Sequence, residues 1–298
     1  MKRLNFVCAF LLIVAGFKIE AAPDADQTSV KSYDARGVVR QIAADRLKAT
    51  IQHEAIPGFM SAMTMEFNVK DTNELNGISP SDEITFKLVV GGNESWIEGV
   101  RFVAHQVDDV TSNTFVFHYS SAELKDGDLL PDCAFMAEDG STVHLSDFRG
   151  KAVAFTFFFT RCPLPDYCQR MSRNFSETRQ LLMATTSAPA NWQLLSISFD
   201  PGFDSPEMLS AYANAYRDGD TNRWLFAAAS TNTLSGLAPR LDLMIMRDGD
   251  NIMSHNLRTV VLDPQGKIFR QLDGNQWTPQ QLADAILQAA RGQTNSAP

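Results

Sequence analysis

The chain has 298 residues, 44% of them hydrophobic and 20% charged, a balance that fits a globular protein with room for one large domain or two modest ones. Its formal net charge is −9 and no basic stripe runs along it, which argues against nucleic acid as a partner. An acidic surface suits a basic or cationic partner instead.

Residues 1–22 read as a signal peptide. Lys2 and Arg3 supply the positive start, Leu4 to Phe17 an apolar run too short to span a bilayer easily, and Ala21 and Ala22 a small-residue cleavage site. The expectation is an exported, periplasmic protein, membrane-proximal but soluble once the signal is cut; an uncleaved anchor is the alternative. Cys8 leaves with the signal, so Cys133, Cys162 and Cys168 remain. Three cysteines in an oxidising space argue against a static disulfide framework and for at least one thiol that works or is buried.

Residues 23–31 form a polar lead-in. From Tyr33 to Val107 the pattern is all β: alternating runs at Tyr33–Ile42, Leu47–His53, Met63–Val69, Glu83–Val90 and Ser95–Val103, with a turn signal at Gly91-Gly-Asn-Glu. Five short strands in such a span predict a small closed, OB-like barrel over residues 32–107. Its informative stretch is His53-Glu-Ala-Ile-Pro-Gly-Phe-Met-Ser-Ala-Met-Thr-Met-Glu-Phe67. Met63 and Met65 stand two apart on a strand and share a face, which His53 can reach from the end of the preceding strand. Core packing is one use of such a pair. Thioether and imidazole ligands for Cu(I), which cannot be lost to disulfides, are the other.

Residues 108–127 read as a linker, in which Thr114-Phe-Val-Phe-His-Tyr is a further strand or a connector. Strands and helices then alternate over residues 128–292 and predict a mostly parallel sheet with an antiparallel edge and helices on both faces. A hairpin spans Cys133 to Leu145. Ser205-Pro-Glu-Met and Thr278-Pro-Gln-Gln open capped helices, and Gly292 ends the last one.

Within this region the apolar run Ala152–Phe159 reads as a buried strand, and Cys168, Met171, Phe175 and Leu182 recur at helical spacing. Thr160-Arg-Cys-Pro-Leu-Pro-Asp-Tyr-Cys168 therefore puts two thiols where a strand gives way to a helix. The positive end of a helix favours thiolate, the form that attacks disulfides and binds soft metals. A permanent Cys162–Cys168 disulfide is the plain alternative. Asp200 reads either as a support for this site or as a turn cap. Cys133, His105, His118 and His144 read as structural or solvated. Met244, Met246 and Met253 flank the segment before His255 and read as copper guides or, for the period-two pair Met244 and Met246 above all, as strand packing.

The region 128–292 resembles the Sco/SenC family of copper-delivery proteins on a thioredoxin-like α/β fold. The resemblance rests on Leu145-Ser-Asp-Phe-Arg-Gly-Lys, Phe157-Phe-Phe-Thr-Arg-Cys-Pro, Ser196-Ile-Ser-Phe-Asp-Pro, Arg223-Trp-Leu-Phe, and His255 ahead of Leu257-Arg-Thr-Val-Val-Leu-Asp-Pro-Gln-Gly. It implies copper ligation by Cys162, Cys168 and His255, with C-x5-C in place of the family's usual C-x3-C. Residues 32–107 resemble the CusF-type periplasmic copper-binding barrel through Met-Thr-Met-x-Phe and Gly92-Asn-Glu-Ser. That resemblance implies His53, Met63 and Met65 as ligands. Met60 stands where that family has a tryptophan, which offers a fourth thioether.

Together the resemblances imply a periplasmic copper chaperone for a cytochrome oxidase subunit that carries the dinuclear copper centre. Two other functions fit the same residues. One is a thiol–disulfide oxidoreductase with Cys162 as nucleophile and Cys168 as resolving thiol. The other is a copper buffer.

Overall fold

The structure is a computed structural model and describes residues 30–105, 123–217, 219–248 and 251–292. The expected signal peptide, Thr114–Tyr119 and most of the expected linker lie outside the described residues.

The first sheet is built from β1 (Lys31–Ile42), β2 (Lys48–His53), β3 (Met63–Asn68), β4 (Asp82–Gly91) and β5 (Glu94–His105). These are the five expected strands, all antiparallel, in the order β3-β2-β1-β4-β5. Alternation dictates which side chains turn inward. Along β2 these are Ala49, Ile51 and His53, and along β3 they are Met63, Met65 and Phe67.

The expected closure into a barrel is not found. Between β3 and β5 there is one bridge, Val69–Ile97, and no ladder. The outer edge of β3 is taken by another strand, introduced below, so it is not available to pair along β5.

The rest of the chain is thioredoxin-like. It runs β6 (Ala134–Ala137), β7 (Thr142–His144), β8 (Ala152–Phe158), α1 (Cys168–Ala184), β9 (Trp192–Ser198), α2 (Pro206–Arg217), β10 (Trp224–Ala229), α3 (Thr231–Leu237), β11 (Ile245–Asp248), β12 (Asn251–His255), β13 (Arg258–Leu262), β14 (Ile268–Asp273) and α4 (Pro279–Ala290). The second sheet has the order β14-β13-β8-β9-β10-β6-β7. Only β8, β9 and β10 are parallel, so the sheet is mixed rather than mostly parallel. The flanking pairs β13–β14 and β6–β7 are joined by connections too short to cross over, which forces them antiparallel.

Every residue of β8 and β9 is buried, as strands covered on both faces require. Both expected caps are present. Ser205 Oγ accepts from Met208 N (3.3 Å), and Thr278 and Gln281 form a reciprocal capping box at α4.

β11 and β12 do not join the second sheet. They form a hairpin that adds to the first one, with Ser254 of β12 paired in parallel to Thr64 of β3. The buried apolar residues of both sheets accordingly form one contiguous cluster.

Candidate functional site

Two clusters of soft donors lie in this arrangement. The first is built on the β2–β3 ladder. His53 is directly opposite Met63, and Met65 lies opposite Ile51 one step along the same face. All three are buried, as is Met60, which a bridge with Ile56 holds between the two strands.

His53 Nδ1 donates to the carbonyl of Glu54 (2.6 Å). That contact fixes the tautomer and leaves the lone pair on Nε2. Nε2 is buried and has no hydrogen-bond partner. Burial also lowers the pKa of His53, so the ring is neutral at pH 7. Phe67 packs edge-on against it at 5.5 Å between centroids.

Gly37 is what allows β1 to pass so close to this histidine. It pairs with His53, and a Cβ at Gly37 would stand 2.7 Å from His53 Cα and 2.6 Å from Gln52 O. A depression beside Gly37, Gln52, His53, Glu54 and Ala62 opens this end of the ladder to solvent.

The second cluster sits where β8 ends. Cys162 and Cys168 are both buried and both free thiols. Cys168 is the first residue of α1, yet its thiol is pushed well above the ordinary range, first by burial and then by its neighbour. Cys162 is drawn the other way, chiefly because the Cys168 thiol hydrogen-bonds to it. The helix start therefore does not make Cys168 the thiolate, because desolvation outweighs the dipole there. The Cys168 thiol, held protonated by burial, thus lowers the pKa of Cys162 by hydrogen-bonding to it.

His255 ends β12 and is buried within a ring of aromatics. Phe199 lies 5.1 Å away, Phe159 5.5 Å and Tyr167 6.2 Å between ring centroids. Its Nδ1 faces the carbonyl of Asn256 at 3.2 Å, and burial lowers its pKa to about 4. It is a neutral imidazole with its Nε2 lone pair available. No three of His, Cys, Asp and Glu converge as a ready metal cluster among the described residues. Cys162 and Cys168 are hydrogen-bonded to each other, and His255 is packed among Phe159, Phe199 and Tyr167.

Several supports were not foreseen in the sequence. Asp166, inside the C-x5-C loop, is almost fully buried. Its carboxylate accepts from Ser95 Oγ (2.7 Å) and Asn68 Nδ2 (2.8 Å) of the first sheet, and its carbonyl from Asn275 Nδ2 (2.6 Å). Tyr167 OH donates to the Glu66 carbonyl on β3. Asp204 is buried and accepts from Thr160 N (3.1 Å), Thr160 Oγ1 and Ser198 Oγ, which pins the strand end before Cys162. Asp200, which the sequence did offer as a support for this site or as a turn cap, accepts from Arg161 Nε (2.8 Å) beside Cys162, and its carbonyl accepts from Phe203 N and Asp204 N. A carboxylate in a loop otherwise made of Pro, Leu and Tyr was the one available signal for Asp166.

The remaining sequence candidates are structural in their surroundings. Cys133 is half-buried beside the Pro131 carbonyl, and burial raises its thiol pKa. His105 pairs with Asp82 at 2.6 Å and His144 with Asp132 at 3.7 Å. Met244 is exposed. His118 and the side chains of Met246 and Met253 lie outside the described residues.

Residues 121–291 match the SCO1/SenC family model. The chain belongs to the SCO1/SenC family. Residues 32–102 separately match the model of the copper binding periplasmic protein CusF. A human relative, the mitochondrial protein SCO2 homolog, is 26% identical over 147 residues, which are 47% of this chain and 52% of that protein. The match thus spans about half of the human protein's length.

Among solved structures, copper-bound ScoI of Arabidopsis thaliana is 17% identical, with 55% of this chain and 99% of that one aligned and a TM-score of 0.47. A SCO1/SenC family lipoprotein of Bacillus anthracis is 21% identical, with coverages of 57% and 99% and a TM-score of 0.49. No helix among the described residues is long and apolar enough to cross a membrane.

Proposed function

We propose that this protein is a periplasmic copper chaperone with two copper-binding sites. Residues 32–107 form one functional unit and 128–292 the other, joined by the linker 108–127. In the first, His53, Met63 and Met65 take Cu(I), with Met60 as an added thioether. In the second, Cys162, Cys168 and His255 hold copper for delivery. The client is a cytochrome oxidase subunit during assembly of its dinuclear copper centre, as membership of the SCO1/SenC family suggests.

What carries this reading is the buried, unpartnered Nε2 of His53, on the same sheet face as two buried thioethers. A buried nitrogen without a partner costs about 1–3 kcal/mol. A soft metal ion satisfies it and suits sulfur ligands. The second cluster fits the same cargo, since two thiols and a neutral imidazole make a donor set that copper accepts in either common oxidation state.

Anaerobic titration of the reduced protein with Cu(I) tests this. Two equivalents bind, one is lost on Met63→Ala and the other on Cys162→Ser. Binding left intact by both substitutions refutes the reading.

One further reading has a specific observation behind it. The lowered pKa of Cys162 beside a protonated Cys168 is the arrangement of a nucleophilic and a resolving thiol. Turnover of a disulfide peptide by the copper-free protein, lost on Cys162→Ser, supports an oxidoreductase role beside delivery.

A further inference from the structure

The hairpin β11–β12 ties the two clusters together. Ser254 is paired in parallel with Thr64, so the next residue of each strand, His255 and Met65, stand level on adjacent strands. Side chains alternate along a strand, and level residues in a sheet share a face. Thr64 is flanked by the inward-facing Met63 and Met65, so His255 falls on the same face as Met65. The two strands are about 4.8 Å apart. Both side chains are buried, one from each candidate site.

The loop between the cysteines reinforces this seam. Asp166 is held by Ser95 and Asn68, and Tyr167 by the Glu66 carbonyl next to Met65. Tyr167 also lies against His255. Thus the segment between Cys162 and Cys168, where this chain is longer than C-x3-C, makes the contacts that dock the second cluster on β3.

Resting on the two-site reading above, we propose that Cu(I) passes directly from the His53–Met63–Met65 cluster to Cys162, Cys168 and His255 across the β3–β12 seam, without leaving the chain. Docking by Asp166 keeps the two sites within reach of each other. The transfer is a ligand exchange with no change in oxidation state. Bonds from copper to two thioethers and the His53 imidazole break as bonds to the two sulfurs and the His255 imidazole form. The thiol protons leave to water, and no oxidant or reductant takes part. The direction follows from donor chemistry, because thiolates hold Cu(I) more tightly than thioethers.

The test mixes the reduced full chain anaerobically with one equivalent of Cu(I) in a stopped-flow instrument and follows the ultraviolet thiolate-to-copper charge-transfer band. The expected growth is first-order, with a rate constant unchanged across a tenfold range of protein concentration. Asn68→Ala/Ser95→Ala removes both donors to the Asp166 carboxylate. It slows that phase by about tenfold, while the number of Cu(I) bound at equilibrium stays at two. Ser95→Ala alone, a milder change, gives an intermediate slowing.

A rate that scales with protein concentration overturns the hand-off, as does a rate that neither variant changes. Two intact sites that exchange only between molecules sink the hand-off and leave the two-site reading standing. Failure to bind two equivalents at equilibrium sinks both.

Discussion

His53, Met63 and Met65 sit on two paired strands of one ladder, whereas Cys162, Cys168 and His255 come from a loop, a helix start and the end of a hairpin. The first cluster inherits its spacing from backbone hydrogen bonds, so its donors are placed before any metal arrives. The second is placed by side chains: Asp204 at Thr160, Asp200 at Arg161, Asp166 on the first sheet and three aromatic rings around His255. A ladder holds its side chains rigidly, whereas a site assembled from loop contacts can shift them.

The two constructions fail differently when disturbed, and the largest expected effect lies in the second. Phe159→Ala removes a buried ring that packs on both His255 and Phe199. The expected loss of stability is about 3–5 kcal/mol, read by urea unfolding. The His255 pKa, followed by NMR, rises as water enters, whereas His53 keeps its own.

Gly37→Ala is the matching disturbance of the ladder. Its Cβ has no room against the backbone of Gln52 and His53, so β1 and β2 must separate. Overpacking of this kind costs about 1–3 kcal/mol. Copper binding at the first site is expected to weaken while the second keeps its equivalent. Loss of both sites together would mean that the two clusters do not differ in the way described.

The same contrast governs what could be read from the sequence. Period-two alternation put Met63, Met65 and His53 on one face, because a strand's facing depends only on its own residues. The five strands of the first sheet and the caps of α2 and α4 were legible for the same local reason. The hairpin β11–β12 was not, since its partner on the edge of β3, Thr64, lies about 190 residues before Ser254. That addition stands on the β3 edge where the closure suggested by the five strands alone would have formed. Asp166 was missed likewise, because its partners Ser95 and Asn68 lie 71 and 98 residues away. In the sequence Cys162 reads as nucleophile and Cys168 as resolving thiol; what it could not show is the burial that raises the Cys168 pKa despite its place at the helix start.

Acid should expose both histidines. His255 has a folded pKa of about 4 against 6.5 for a free histidine, and burial lowers that of His53 as well. Above pH 6.5 each ring is neutral in both folded and unfolded chains, and their contribution to stability is complete. As pH falls below 6.5 the unfolded chain takes up protons that the buried rings refuse. The metal-free protein should therefore lose up to about 1.4 kcal/mol per pH unit from His255, continuing towards pH 4. The difference between the stability curves of the native protein and His255→Phe isolates this contribution. A difference that is flat between pH 6.5 and 4 would mean that His255 is solvated.

The smallest expected effect concerns the thiols alone. Cys168→Ser replaces the thiol that hydrogen-bonds to Cys162 with a hydroxyl, which can still donate. Cys168→Ala removes the donor altogether. If the Cys168 proton is what lowers the Cys162 pKa, the expected outcome is a rise of that pKa in alanine and little change in serine. The pH dependence of alkylation of Cys162 by iodoacetamide, with Cys133 replaced by Ser in every variant, reads this directly. Equal profiles for alanine and serine would assign the low pKa to the helix end and the loop backbone instead. The second cluster would then, like the first, owe its chemistry to the main chain, and the contrast between the two sites would rest on His255 and Asp166 alone.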